Sequence, residues 1–210
     1  MKYSIITPVY NRHDTVGRCI QSVIKQDFKD YELVLVNDGS TDSTLDTISS
    51  YLPDEKIVLI DYRCNKGVNY ARNRAIEDAA GEWLVFLDSD DTIIEGGLSV
   101  IHQIMRGSPG YQHYLFPTKR PVDGADQEPA EIWYERWLTG QFKGDYTHVV
   151  QSDCMTAYLF FEQFRASESL NWLRIYKNCS PQFYAPIVVQ RIDESRSDHL
   201  SKVYSETNRE

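Results

Sequence analysis

Short apolar runs alternate with helix-spaced apolar positions through the first hundred residues. Ser4 to Thr7 is an apolar run closed by Pro8, which reads as a buried strand ending in a loop. Asp14 can cap a helix in which Val16, Ile20, Val23 and Ile24 keep helical spacing. Tyr31 to Val36 is the next buried strand and runs into the polar turn Asn37 to Asp42. A helix carrying Leu45, Ile48 and Leu52 follows and stops at Pro53. Lys56 to Tyr62 is a third strand, and Asn69 to Ala80 a helix with Gly81 just past its end. Trp83 to Leu87 is a fourth strand, ending in Asp88-Ser89-Asp90-Asp91. Nearly continuous apolar strands separated by helices imply an α/β fold, a parallel sheet covered on both faces.

The second half is less regular. It offers strands at Tyr111 to Phe116, 146–151 and 183–192, a polar loop over 119–130, and helices at Glu131 to Leu138 and Ser169 to Lys177. Trp133, Tyr134, Trp137, Phe142 and Tyr146 crowd its middle, as a small core, a dimer contact or rings open to a ligand. The stretch 193–210 is a polar tail.

Composition narrows the function. The chain has 210 residues and a formal net charge of −9, which argues against a nucleic-acid partner, since binding the phosphate backbone needs a basic face. A small phosphorylated ligand needs only a few local donors or one metal ion. Cys19, Cys64, Cys154 and Cys179 are scattered without a C-x-x-C pair, so neither a zinc site nor a disulfide framework is expected, and a reduced compartment is. The N-terminal residues form neither a signal peptide nor a membrane span. The expected location is therefore cytoplasmic, with membrane contact peripheral or through a partner.

In parallel sheets ligands bind at the carboxyl ends of strands. Three polar clusters fall there: the residues after Thr7, the Asn37–Asp42 turn and the Asp88–Asp91 run. Three carboxylates within four residues repel one another unless a cation or strong donors balance them. They read as a site for Mg²⁺ or Mn²⁺ shared with substrate phosphates, or as a solvated turn capping the next helix. Asp38 can accept hydrogen bonds from a base or ribose, while Ser40 or Thr41 caps a helix. Tyr10 and Asn11 suit stacking on and bonding to a base. Asn65, Gly67 and Arg72 set donors on a loop and the first turns of a helix, suited to a diphosphate or to a surface ion pair.

Four stretches occur in order: SIITPVYNR from Ser4, VNDGSTD from Val36, NKGVNYARNRA from Asn65 and GEWLVFLDSDD from Gly81. Together they resemble the nucleotide-binding half of family-2 inverting glycosyltransferases, which have the GT-A fold, a Rossmann-like mainly parallel sheet flanked by helices. The resemblance covers about residues 3–100. It implies one domain with a nucleotide-sugar-binding half (1–100) and an acceptor-binding half (101–192). It implies a UDP-sugar donor, a divalent metal and an acceptor hydroxyl on a glycan, perhaps carried on a membrane lipid, in surface polysaccharide assembly. By motif position Thr7, Pro8 and Tyr10 line the base pocket, Asp38 bonds the base, Asp88 with Ser89 reaches the ribose or the metal shell, and Asp90 is the metal ligand. Asp91 is a further candidate for that shell. Ala75 stands where the family often has Gly. The family's usual Glu-Asp pair reads Glu168-Ser169 here, so Glu168 is the expected catalytic base, with Asp153 as an alternative. Arg191, Arg196 and His199 fit a closing lid or a polar tail. A polyprenyl-phosphate transferase and a nucleotide-sugar-binding protein without catalysis are the competing readings.

Overall fold

The computed structural model describes residues 1–119, 127–164 and 168–193. Its first half follows the apolar runs. β1 (Tyr3–Val9), β2 (Tyr31–Asp38), β3 (Ile57–Tyr62) and β4 (Trp83–Phe86) form a parallel array in the order β3-β2-β1-β4. Pro8 does not end β1; it lies opposite Val36 in register, and the strand continues to Val9. Successive side chains leave a strand on opposite faces. Ile5, Leu33, Leu35 and Val85 therefore join one core with α1 (Val16–Ile24) and α4 (Gly97–Gly107). Ile6, Val34, Val36 and Leu84 join a second core with α3 (Val68–Asp78) and α7 (Glu168–Asn178). A short α2 (Thr44–Ser49) adds Ile48 to the first core.

Several boundaries differ from the sequence reading. Thr15, not Asp14, is the N-cap of α1, and Arg12 carbonyl accepts from the amides of Thr15 and Val16. The helix expected to carry Leu52 ends at Ser49. The sequence reading contained no counterpart of α4.

The second half extends the sheet with β6 (His113–Pro117), β7 (Ala130–Ile132), β8 (Tyr146–Gln151) and β9 (Gln182–Tyr184), giving the order β3-β2-β1-β4-β8-β6-β9-β7. β8 lies antiparallel between β4 and β6, while β6 and β9 are parallel. The expected helix at Glu131 to Leu138 is β7 followed by α5 (Tyr134–Leu138). The expected strand 183–192 splits into β9 and β10 (Gln190–Arg191), and β10 pairs with β5 (Thr92–Ile93) away from the main sheet. A helix α6 (Ser152–Ala157) follows β8.

The aromatic middle is mostly core. Trp137 stacks on Tyr176 at 3.8 Å, and Phe142 is buried, whereas Trp133 is exposed. The four cysteines depart from expectation: Cys154 of α6 and Cys179 just after α7 are joined as a disulfide, with Cα atoms 6.8 Å apart. Their separation of 25 residues carries no local signal, and only the packing of two helices brings them together. Cys19 and Cys64 are free thiols. Among the described residues no helix is long and apolar enough to cross a membrane.

Candidate active site

The sheet order reverses at β1, whose neighbours are β2 on one side and β4 on the other. Such a switch point opens a crevice at the carboxyl ends of the strands. The loops after β1, β2 and β4 meet there.

The first two loops are tied together. Asn11, at a positive φ of 50°, accepts from the Thr41 amide at 2.8 Å and donates its own amide to Ser40 Oγ at 2.9 Å. Arg12 amide donates to Thr44 Oγ1 at 2.7 Å, and His13 bonds Asp42 at 3.0 Å. Burial opposes the charge of Asp42, but hydrogen bonds from Thr44 and His13 outweigh it and lower its pKa to about 2. Tyr10 stands on this rim with its side chain exposed, while Thr7 and Pro8 are buried below it. Thr7 Oγ1 has no hydrogen-bond partner among the described residues.

Asp38 ends β2 almost fully buried. Its carboxylate accepts from the amides of Lys66 at 2.9 and 3.1 Å and of Gly67 at 2.7 Å, so it fastens the loop that carries Asn65. Gly39 is required beside it. Its φ is +70°, and a Cβ there would lie 2.6 Å from backbone atoms of Cys64 and Asn65. Gly67, at φ 101°, is the N-cap of α3.

Arg72 of α3 is 4% exposed and joins the two halves. Its Nη2 meets Asp88 Oδ1 at 2.8 Å, and its Nη1 meets Glu168 Oε1, on the first turn of α7, at 2.6 Å. Burial works against its charge; Glu168 and Asp88 outweigh that and hold the guanidinium protonated. The diphosphate ligand expected from sequence is thus engaged in two protein ion pairs. Asn69 and Asn73, on the same helix, clamp the second half. Asn69 donates to the carbonyls of Phe161 and Phe164, and Asn73 brackets Phe160 by donating to its carbonyl and accepting from its amide. Asn69 and Asn73 stand four residues apart on α3, so one face of the helix carries both.

The acidic run separates into different roles. Asp88 is exposed, whereas Ser89 and Asp90 are buried, with Arg12 Nε 3.7 Å from the Asp90 carboxylate. Asp91 turns inward and accepts from Gln190 Nε2 at 2.6 Å and the Asp193 amide at 3.0 Å. Burial first, then the nearby Asp88 charge, raises its pKa to about 7. Arg18 latches the same region, donating to Asp90 carbonyl at 3.0 Å and Asp193 carboxylate at 2.6 Å. Among the described residues no cluster of three or more His, Cys, Asp or Glu side chains forms a complete metal cage. The donors present are hard carboxylate oxygens, which fit a magnesium-like ion completed by phosphate and water.

Asp153 is on the wrong edge for a base. It follows β8, whose Gln151 lies opposite Trp83 at the start of β4, and the amide of Ser152 donates to Glu82 carbonyl. The acidic run lies at the other end of β4. Arg191 is in β10; Arg196, His199 and the tail beyond Asp193 lie outside the described residues.

The sequence profile of Glycosyl transferase family 2 matches residues 4–161. The chain belongs to this family. Among relatives, it is 27% identical over 202 residues to a GalNAc(5)-diNAcBac-PP-undecaprenol beta-1,3-glucosyltransferase of Campylobacter jejuni, covering 91% of this chain and 65% of that protein. It is 30% identical over 178 residues to the UDP-Glc:alpha-D-GlcNAc-diphosphoundecaprenol beta-1,3-glucosyltransferase WfgD of Escherichia coli, covering 83% and 70%. Among solved structures, S. aureus TarS 1–349 in complex with UDP superposes with a TM-score of 0.76 at 26% identity, covering 89% of this chain and 58% of that one. The chain thus spans less than two thirds of the Campylobacter relative and of that TarS chain. As a family-2 glycosyltransferase it has the α/β sheet of the GT-A type expected from its motifs.

Proposed function

We propose that this family-2 chain transfers a sugar, with inversion, from a UDP-sugar to a hydroxyl of a lipid-linked glycan in surface polysaccharide assembly. The observation that carries this reading is the convergence of Tyr10, Asp38, Asp88 and Asp90 from three strand ends on one crevice, with Arg72 reaching from it to Glu168. UDP is the nucleotide bound by TarS, and the relatives named above act on undecaprenol-linked sugars.

Residues 1–100 supply the donor side. Tyr10 packs on the base, the loops tied by Asn11 and Asp38 frame the nucleoside, and Asp90, with Asp88 beside it, holds Mn²⁺ or Mg²⁺. When bound, the ion neutralises charge on the departing diphosphate. Inverting transfer is a single displacement in which a carboxylate takes the acceptor proton as the new bond forms. Glu168 takes it here. Arg72 fixes one of its oxygens, and the carboxylate is 30% exposed, within reach of an acceptor. A membrane-bound acceptor requires only peripheral contact.

Thermal unfolding with UDP, GDP, CDP and dTDP, each with and without Mn²⁺, tests the donor claim. UDP at 100 times its dissociation constant adds about 2.7 kcal/mol. The expected shift requires the metal and disappears in Asp90→Asn. No shift with any nucleotide defeats the reading, and hydrolysis or transfer surviving Glu168→Gln removes Glu168 as base.

A further inference from the structure

Two cavities meet beside the β5–β10 ribbon and share Ile94 and Arg191. The smaller, about 370 Å³, is lined by Arg18, Lys25 and Arg191, with Glu95 as its one carboxylate among the described residues. Such a gathering is unexpected in a chain whose net charge is −9. Arg18 is engaged with Asp193 and with Asp90 carbonyl. The side chains of Lys25 and Arg191 have no ion-pair or hydrogen-bond partner among the described residues. Two uncompensated cations therefore face a concave site that adjoins the loop of Asp90, and a multiply charged anion complements them.

The larger cavity, about 690 Å³, continues from Arg191 along Ile94, Pro186, Ile187 and Val188. Ile187 is 39% exposed, so this wall offers apolar surface to a ligand. Cations at one end and aliphatic side chains at the other match an amphiphile with a phosphate head and a hydrocarbon body. We infer that Arg18, Lys25 and Arg191 bind the diphosphate of a prenyl-type carrier on the acceptor, with Ile94 and Pro186–Val188 against its first carbons. This rests on the lipid-linked acceptor proposed above. It also supplies the basic pocket that an anionic acceptor needs. Arg18 joins the site to the loop after β4 through its bond to the Asp90 carbonyl.

Isothermal titration of the chain with geranyl diphosphate, in saturating UDP and Mn²⁺ so that the donor crevice is filled, tests the assignment. Geraniol and inorganic pyrophosphate separate the two ends of the site. Geranyl diphosphate is expected to bind more tightly than either. Lys25→Gln with Arg191→Gln should weaken it tenfold or more while leaving UDP affinity and the unfolding temperature unchanged; Lys25→Gln alone should weaken it by less. Unchanged affinity in the double variant, or displacement of geranyl diphosphate by UDP, overturns the assignment. So does a double variant that loses only co-sedimentation with phosphatidylglycerol vesicles, because the cations would then serve the bilayer surface. Residue-dependent binding of geranyl diphosphate without any UDP binding supports this site and counts against the donor reading alone.

Discussion

The two halves of the sheet are held in place by different means. Before residue 100, β1 to β4 pair in parallel, and the loops after β1 and β2 are fastened to each other and to the loop before α3. After it, strands mix directions, and the connection from α6 to α7 is gripped by Asn69 and Asn73 of the first half and Asn171 of α7. The loops after β1 and β2 are tied within the first half, whereas the loop after β4 is held in part by Gln190 and Asp193 and the second half is gripped by α3. The clamp on α3 therefore keeps the segment between α6 and α7 aligned with the strand ends of the first half.

Arg72 is the strongest test of that dependence, because among the described residues it alone pairs with both Asp88 and Glu168. Removing one member of a buried ion pair costs roughly 3–5 kcal/mol. Both carboxylates keep partial contact with water, which reduces the expectation for Arg72→Met to about 2–3 kcal/mol. Urea unfolding should show that loss, and amide exchange should rise most in α7 and least in β1–β3. Uniform exchange across the sheet, or wild-type stability, would mean that Arg72 does not couple the halves.

A second difference concerns acid. The second half buries His113 and His148 against each other, His113 Nε2 being 3.0 Å from His148 Nδ1, with His148 stacked 3.7 Å from Trp172. One ring must donate and the other accept, so the bond is lost when both rings are protonated, and burial disfavours even a single charge. Burial lowers the pKa of His113 to about 3 and depresses that of His148 as well. The unfolded chain therefore takes up these protons first. Their contribution to stability is complete above the ordinary histidine value near 6.5 and is lost as pH falls below it. At pH 5 the loss for His113 is roughly 2 kcal/mol. Asp91, whose raised pKa gains stability as pH falls, offsets this in every variant alike, so the wild-type unfolding temperature should lose more, or gain less, between pH 7 and pH 5 than that of a His113→Gln/His148→Gln double variant. Equal slopes would clear the pair of any part in acid sensitivity.

The same contrast explains what the sequence could reveal. β1, β2, β3 and β4 are apolar runs bounded by polar turns, and their period is visible in one dimension. So are the three strand-end clusters, because parallel connection brings consecutive carboxyl ends to one edge. The pairing of β8 between β4 and β6 leaves no such mark, and it is what removes Asp153 from the site. Strands of two or three residues, such as β5, β7 and β10, are too short to show a period. α4 was readable in principle, since Leu98, Ile101 and Met105 keep helical spacing. The Asn69 clamp has partners 92 and 95 residues away, and the Cys154–Cys179 bridge depends on how two helices pack. Likewise, the run Asp88–Asp91 announces a site, but only the arrival of Gln190 and Asp193 separates the inward Asp91 from Asp88 and Asp90.

The smallest expected effect sharpens the comparison most cleanly. Each half presents an exposed aromatic side chain: Tyr10, 42% exposed, after β1 and Trp133, 52% exposed, before α5. Neither is core, so alanine at either position should leave the unfolding temperature nearly unchanged. Their effects on nucleotide binding should differ. A base stacked on an aromatic ring gains about 1–3 kcal/mol, and an exposed loop residue belongs at the low end, roughly a fivefold loss of UDP affinity for Tyr10→Ala. Trp133→Ala should leave UDP affinity unchanged, because no strand end of the crevice carries it. Titration of both variants with UDP in Mn²⁺ reads the difference directly. Equal affinities would take Tyr10 out of the base pocket and leave the loops tied by Asn11 and Asp38 to frame the nucleoside alone. A loss in Trp133→Ala instead would mean that the aromatic middle of the second half reaches the donor.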